Sequence, residues 1–161
     1  MRANCTRLYL HYVSGTWDRL PLITPDIQQR VYASIVGECN YLECKVIAVG
    51  GIEDPVHLLV RYSPTLSVSK LIKQIKGSSS HFIANELKRH EFFKWQGSYG
   101  AFTVSHNHLD RVANYIRNQR LHHQQKSIIS HWEMLSSPPS NPNHSTSDRP
   151  SPFSPHSEEK T

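Results

Sequence analysis

The chain has 161 residues, of which 18 are Lys or Arg and 13 Asp or Glu, with 37% hydrophobic and 9% aromatic. That composition suits one globular domain carrying some non-globular sequence, and it excludes two large domains. No apolar run approaches the roughly 20 residues of a bilayer-spanning helix and the N-terminus lacks the apolar stretch of a signal peptide, so a soluble, cytoplasmic protein with no membrane partner is expected.

Residues 7–14 (RLYLHYVS) set Leu8, Leu10 and Tyr12 against Tyr9, His11 and Val13, the alternation of a strand with both faces at least partly covered. Thr24-Pro25-Asp26 opens a helix, with Thr24 as N-cap and Pro25 at the first helical position; Ile27, Val31 and Ile35 then form its inward stripe to about Asn40. KVIAVGG and VHLLVRY follow as two β-branched runs around Ile52-Glu53-Asp54-Pro55, which predicts an antiparallel hairpin whose two strands are central in the sheet.

Residues 67–76 place Val68, Leu71, Ile72 and Ile75 on one helical face and Lys70, Lys73 and Lys76 on another, and Gly77 with three serines is expected to interrupt this helix before HFIANELKRH resumes it. A strand over residues 99–105 precedes a last helix in which Leu109, Val112, Ala113 and Ile116 recur at i, i+3, i+4 and i+7. The first six elements, β-α-β-β-α-β, give an α+β fold: a ferredoxin-like split βαβ with an antiparallel sheet, helices on one face, and the extra C-terminal helix free to cover the other.

From residue 136 onward the sequence holds eight Ser and six of the ten Pro, with Phe153 its only aromatic, and it cannot build a core. The domain is therefore set at 1–135, with a disordered Ser/Pro-rich tail at 136–161. The tail has two basic and three acidic residues, which leaves 16 basic against 10 acidic in residues 1–135. A basic folded part favours a polyanionic partner. The cysteines, Cys5, Cys39 and Cys44, are odd in number and lack Cys-x-x-Cys spacing, so reduced thiols are expected instead of a disulfide framework or zinc knuckle.

On VHLLVRY, Val56, Leu58 and Val60 point one way and Pro55, His57, Leu59 and Arg61 the other. On the last helix Tyr115 and Gln119 lie four apart, with Arg111 one turn before Tyr115 and His122 two turns after it. A phenol with a pKa of about 10 becomes a nucleophile only with a base, a neighbouring cation, or a metal polarising the phosphate it attacks.

GGIEDPVHLLVRY, SVSKLIKQIKGSSS, FFKWQGSYGAFTVS and YIRNQ occur in this order and at the spacing of a known family. Over about residues 6–125 the chain resembles the single-tyrosine HUH transposases, the small transposases of compact insertion sequences and their relatives the REP-associated tyrosine transposases. The resemblance implies a ferredoxin-like core, a homodimer, recognition of hairpin single-stranded DNA, and a helix-borne tyrosine that forms a 5′-phosphotyrosine and frees a 3′-OH. It implies Tyr115 as the catalytic nucleophile, Gln119 and His57 as metal-contacting residues, and one Mg²⁺ or Mn²⁺ as cofactor. Where the family reads Asp-His-Val-His-Leu-Leu, this chain reads Asp54-Pro55-Val56-His57-Leu58-Leu59, so the first histidine of the pair is missing. Proline offers no lone pair to a cation, and the departure predicts weakened metal binding and impaired cleavage. Asp54 faces away in a regular strand, although a bulge at Pro55 would re-aim its carboxylate.

His106-Asn107-His108 is assigned to the loop before the last helix, with Asn107 as N-cap, and His122-His123 to the helix dipole; neither pair is assigned to metal. Lys70, Lys73, Lys76, Arg111, Arg117 and Arg120 are the expected DNA-binding residues, with Trp95, Phe92 and Tyr99 as stacking candidates and Phe92 the one expected to pack in the core. The leading expectation is a transposase-type DNA strand transferase impaired at Pro55. The alternative is a hairpin-DNA-binding protein that no longer cleaves. An RNA-binding module of ferredoxin-like type is disfavoured, because VHLLVRY lacks the aromatics that stack bases on such a sheet.

Overall fold

The computed structural model describes residues 4–133, so the Ser/Pro-rich tail assigned to 136–161 lies outside the described residues. The chain runs β1 (Tyr9–Ser14), α1 (Pro25–Tyr41), β2 (Lys45–Gly51), β3 (Val56–Arg61), α2 (Val68–Phe82), β4 (Gly100–Thr103), α3 (Leu109–Arg117) and α4 (Gln119–Gln124). The strands pair antiparallel in the order β2-β3-β1-β4, the ferredoxin-like arrangement read from the sequence. Of the two hairpin strands expected at the centre, only β3 is central. β1 inserts between β3 and β4 and leaves β2 at an edge. Among the described residues no helix is long and apolar enough to cross a membrane.

Strand alternation divides the apolar residues into two layers. On one face Leu10, Tyr12, Val56, Leu58 and Val60 meet Ile27, Val31 and Ile35 of α1 and Leu71, Ile72 and Ile75 of α2. On the other, Ala48 and Leu59 meet Val112, Ala113 and Ile116 of α3, with Trp132 packed at the margin. The last helix thus covers the face that a bare split βαβ leaves open. It seats on β2 where Gly50 has no side chain: a Cβ there would lie 2.3 Å from the carbonyl oxygen of Ile116. A break in regular pairing between Val46 and Ala48 leaves the Ile47 carbonyl to accept a hydrogen bond from the Arg117 guanidinium at 3.0 Å.

Four local expectations are corrected. α2 does not stop at Gly77 but continues to Phe82, followed by a π-turn over Ile83–Leu87. Ser79 is buried and holds that stretch, donating to the Ile75 carbonyl at 2.6 Å and accepting from the Trp95 indole at 3.0 Å. Intrinsic propensity is overruled there by a buried contact. The last helix breaks at Asn118, whose side-chain amide donates to the Asn114 carbonyl at 2.9 Å, and α4 restarts at Gln119. The N-cap of α3 is His108, not Asn107, because His106–His108 forms a 3₁₀ turn of its own. The aromatics are exchanged as well: Trp95 is buried, while Phe92, expected in the core, is 60% exposed. Cys39 and Cys44 are buried free thiols and Cys5 is an exposed one, as the cysteine count predicts.

Candidate functional site

His57 lies on the face of β3 opposite the two-helix layer, beneath α3, and is fully buried. Tyr115 and Gln119 approach from above, one from the last turn of α3 and the other from the first position of α4, and both are buried. The Tyr115 ring stands edge-on to His57 at 6.1 Å between centroids. The three residues predicted for chemistry are therefore brought together within one chain.

They meet on a residue the sequence reading did not select. Glu133 follows the 3₁₀ turn Ser130–Trp132, and its side chain is fully buried. The Tyr115 hydroxyl donates to Glu133 Oε1 and accepts from the Ile129 amide at 3.1 Å. The Gln119 amide nitrogen lies 3.5 Å from the same Oε1, and Glu133 Oε2 faces His57 Nε2 at 3.3 Å. Trp132 packs edge-on to Tyr115 at 5.0 Å and His122 lies against its other side at 4.8 Å. Burial, then the bond to Glu133, push the phenol up to about 12. Burial alone would raise the Glu133 carboxyl, but the facing His57 ring, the Tyr115 hydroxyl and the charge of His123 outweigh it and hold the group below its ordinary value.

A second unselected residue completes the cluster. His11, on the neighbouring strand β1, pairs in register with Leu59, so it sits diagonally from His57 on the same face. Its Nε2 is 3.1 Å from His57 Nδ1, and the rings stack at 5.3 Å. Burial and, after it, the nearby His57 depress His11 to about 3, so its ring is neutral at physiological pH. Strand alternation had placed His11 on that face, but only the β1–β3 register makes it a neighbour of His57.

Residues 4–119 match the family of IS200-like transposases. The chain belongs to that family. Two solved structures are similar: one described as a transposase from Deinococcus radiodurans R1, 21% identical, covering 74% of this chain and 95% of that one with a TM-score of 0.61, and a REP-associated tyrosine transposase bound to a REP hairpin, 12% identical, covering 76% and 72% with a TM-score of 0.58. At those identities the likeness carries the fold. No curated protein matches the sequence.

The basic residues of this family member fall into distinct places. Lys70 and Lys73 are exposed on α2, across the sheet from Tyr115. Lys76 is not free to bind phosphate: its ammonium donates to the Gln96 carbonyl at 2.6 Å and the Ser98 carbonyl at 3.0 Å, and burial lowers its pKa. Arg117 is held by Ile47, and it lines with Arg120 a cleft of about 450 Å³ between α1, the end of β2 and the last helices. Arg111 sits over the Trp132 ring at 5.5 Å and borders a 130 Å³ pocket with His11 and His108.

Pro55 is buried after a cis Asp54-Pro55 bond, and Asp54 is committed elsewhere. It accepts from the Thr16 amide at 2.6 Å and pairs with Arg19 at 2.8 Å, so its carboxylate is not re-aimed at His57. Among the described residues no three His, Cys, Asp or Glu side chains form a metal-holding cluster, and a cation here must therefore draw on an amide oxygen too. Three buried polar atoms without hydrogen-bond partners suit that need: His57 Nε2, Gln119 Oε1 and Glu133 Oε2. Nitrogen and oxygen donors of this kind fit a divalent cation such as Mg²⁺ or Mn²⁺.

Proposed function

We propose that the chain binds hairpin-bearing single-stranded DNA and cleaves and rejoins it through a phosphotyrosine at Tyr115. The observation that carries this reading is the meeting of the Tyr115 hydroxyl, His57 and Gln119 on one buried carboxylate in the fold of the IS200-like transposases. A relative of the same fold bound to a REP hairpin supports the choice of DNA.

Tyr115 Oη attacks the phosphorus of a phosphodiester; the new Oη–P bond forms as the P–O3′ bond breaks, leaving a 5′-phosphotyrosine and a free 3′-OH. The phenolic proton has an acceptor already in contact, Glu133 Oε1, and the depressed pKa of that carboxyl keeps it ionised to receive the proton. A divalent cation held by His57 and Gln119, when bound, polarises the scissile phosphate. Rejoining is the reverse displacement, with a 3′-OH attacking the phosphotyrosine. Arg111, at the rim of the pocket beside the site, and Lys70 and Lys73 on α2 supply phosphate contacts. In the homodimer that the family resemblance implies, each chain would carry a complete site.

A second reading, hairpin binding without cleavage, is favoured by one observation: Pro55 provides no donor and Asp54 is engaged by Thr16 and Arg19. The test is covalent adduct formation on hairpin-flanked single strands with Mg²⁺ or Mn²⁺, comparing the natural chain, Pro55→His and Tyr115→Phe. Adduct that disappears in Tyr115→Phe supports the strand-transfer reading. Adduct that persists there refutes Tyr115 as nucleophile. Hairpin binding with no adduct from the natural chain, and adduct from Pro55→His, establishes the second reading.

A further inference from the structure

We propose that Glu133 supplies the cation ligand that Pro55 removes, so that the metal site of this chain is His57 Nε2, Gln119 Oε1 and Glu133 Oε2, with His11 as the residue that positions His57. The proposal rests on the transposase reading, but it concerns the ligand set and stands on separate atoms.

The three donor atoms are all buried and all without hydrogen-bond partners. Burying an unpaired polar atom is costly, and two such side chains set against a carboxylate with a free oxygen of its own suit a shared occupant. His57 Nε2 and Glu133 Oε2 face each other at 3.3 Å without the alignment of a hydrogen bond. The Gln119 amide orientation follows from its neighbour: Nε2 is directed to Glu133 Oε1, which leaves Oε1 as the free donor. Glu133 Oε1 is taken by Tyr115, so its second oxygen is the one available to a cation.

The contact with His11 couples the tautomers of the two rings. One hydrogen joins His11 Nε2 and His57 Nδ1 across 3.1 Å. If His57 donates it, His57 Nε2 is a bare lone pair facing a carboxylate, a repulsive contact that a cation between them turns into two ligand bonds. If His11 donates it, His57 Nε2–H faces Glu133 instead. Cation binding therefore selects the tautomer in which His57 Nδ1–H donates to His11, the outer contact that commonly orients a metal-bound imidazole. The His11 ring is held for this role by His57 and by the edge of Trp132 at 6.0 Å.

Replacing an imidazole by a carboxylate keeps the site suited to the ions the family resemblance implies. Two oxygen donors and one nitrogen favour Mg²⁺ and Mn²⁺, whereas sulfur- and imidazole-rich sites favour zinc. A carboxylate adds a negative charge to the site, a stronger partner for a divalent cation than the neutral ring it replaces.

The experiment is calorimetric titration of the full chain with Mn²⁺ in the absence of DNA, for the natural sequence, Glu133→Gln, His57→Ala and, as a control at an exposed position of α2, Gln74→Ala, with melting temperatures taken in EDTA to confirm folding. One Mn²⁺ per chain is expected for the natural sequence and Gln74→Ala, with affinity at least tenfold weaker in Glu133→Gln and His57→Ala. Nitrogen chemical shifts of His57 on adding Mg²⁺ should report Nδ1 protonated and Nε2 bare, and His11→Phe should lose that shift pattern. Where Glu133→Gln fails to fold, Glu133→Asp serves in its place and should also bind Mn²⁺ more weakly than the natural chain. No Mn²⁺ binding by the natural sequence, or equal binding by the folded Glu133 variant, overturns the proposal. Hairpin binding measured in EDTA on the same samples keeps the two claims apart: hairpin binding without Mn²⁺ binding sinks the ligand set alone, and loss of hairpin binding sinks the transposase reading.

Discussion

The seat of α3 on β2 links the stability of the domain to the placement of Tyr115, and Gly50→Ala tests that link. The added Cβ would lie 2.3 Å from the Ile116 carbonyl oxygen, 1.1 Å short of the 3.4 Å at which ordinary contact begins. The obstructing atom is backbone and cannot rotate away, so α3 or β2 must move by about an ångström. Overpacking of this kind costs about 1–3 kcal/mol. For a folded unit of this size each kcal/mol lowers the melting temperature by about 3–5 °C. Tyr115 precedes Ile116, and a reacting group misplaced by about 1 Å loses about a hundredfold in rate. Gly77→Ala is the matched control: nothing lies within 4 Å of its Cβ, and replacing an interior helical glycine stabilises by about 0.5–1 kcal/mol. Thermal melts and covalent-adduct rates for the full chain should therefore move down together for Gly50→Ala, while Gly77→Ala melts higher with its rate unchanged. A Gly50→Ala protein that melts with the natural chain would refute the close seating of α3.

Lys76→Ala should lower the melting temperature while leaving the salt dependence of hairpin binding unchanged, whereas Lys73→Ala should reduce the slope of log affinity against log salt by about one and leave the melt alone. Gel-shift titrations at two salt concentrations check both. Ser79→Ala strands the buried Trp95 indole N–H and should cost about 1–3 kcal/mol in a urea melt. A thiol reagent should modify Cys5 in the native chain and all three cysteines after unfolding, because Cys39 and Cys44 are buried and burial lifts Cys39 to about 12.

The fold was legible wherever periodicity had one interpretation. Val56, Leu58 and Val60 alternate with His57 and Leu59, and the structure sends the two sets to the two layers as read. Reading failed where a distant contact decided the local conformation. Gly77 and its serines have the composition of a break, yet Ser79 lies under Trp95, which belongs to a segment whose position no helix periodicity specifies. The edge position of β2 likewise depends on β1 inserting beside β3, a long-range pairing that the hairpin signal does not contain.

The same division runs through the site. His57, Tyr115 and Gln119 sit within regular elements, where the family resemblance points to them. His11 becomes relevant only through strand register, and Glu133 follows a short turn with no periodicity to mark it. The physical consequence concerns how the ligand set is held. A histidine at position 55 would share the face of His57 through strand alternation alone. A carboxylate at 133 reaches His57 only because the helix breaks at Asn118, α4 ends at Gln124 and the chain turns back so that Ile129 meets the Tyr115 hydroxyl. Glu133 is therefore coupled to Tyr115 itself through the hydroxyl it accepts from, whereas a strand histidine would be independent of it. Tyr115→Phe should therefore weaken Mn²⁺ binding as well as abolish the adduct, because losing the hydroxyl removes one of the bonds that orient the carboxylate. Mn²⁺ affinity identical in Tyr115→Phe and the natural chain would show that Glu133 is held without its help.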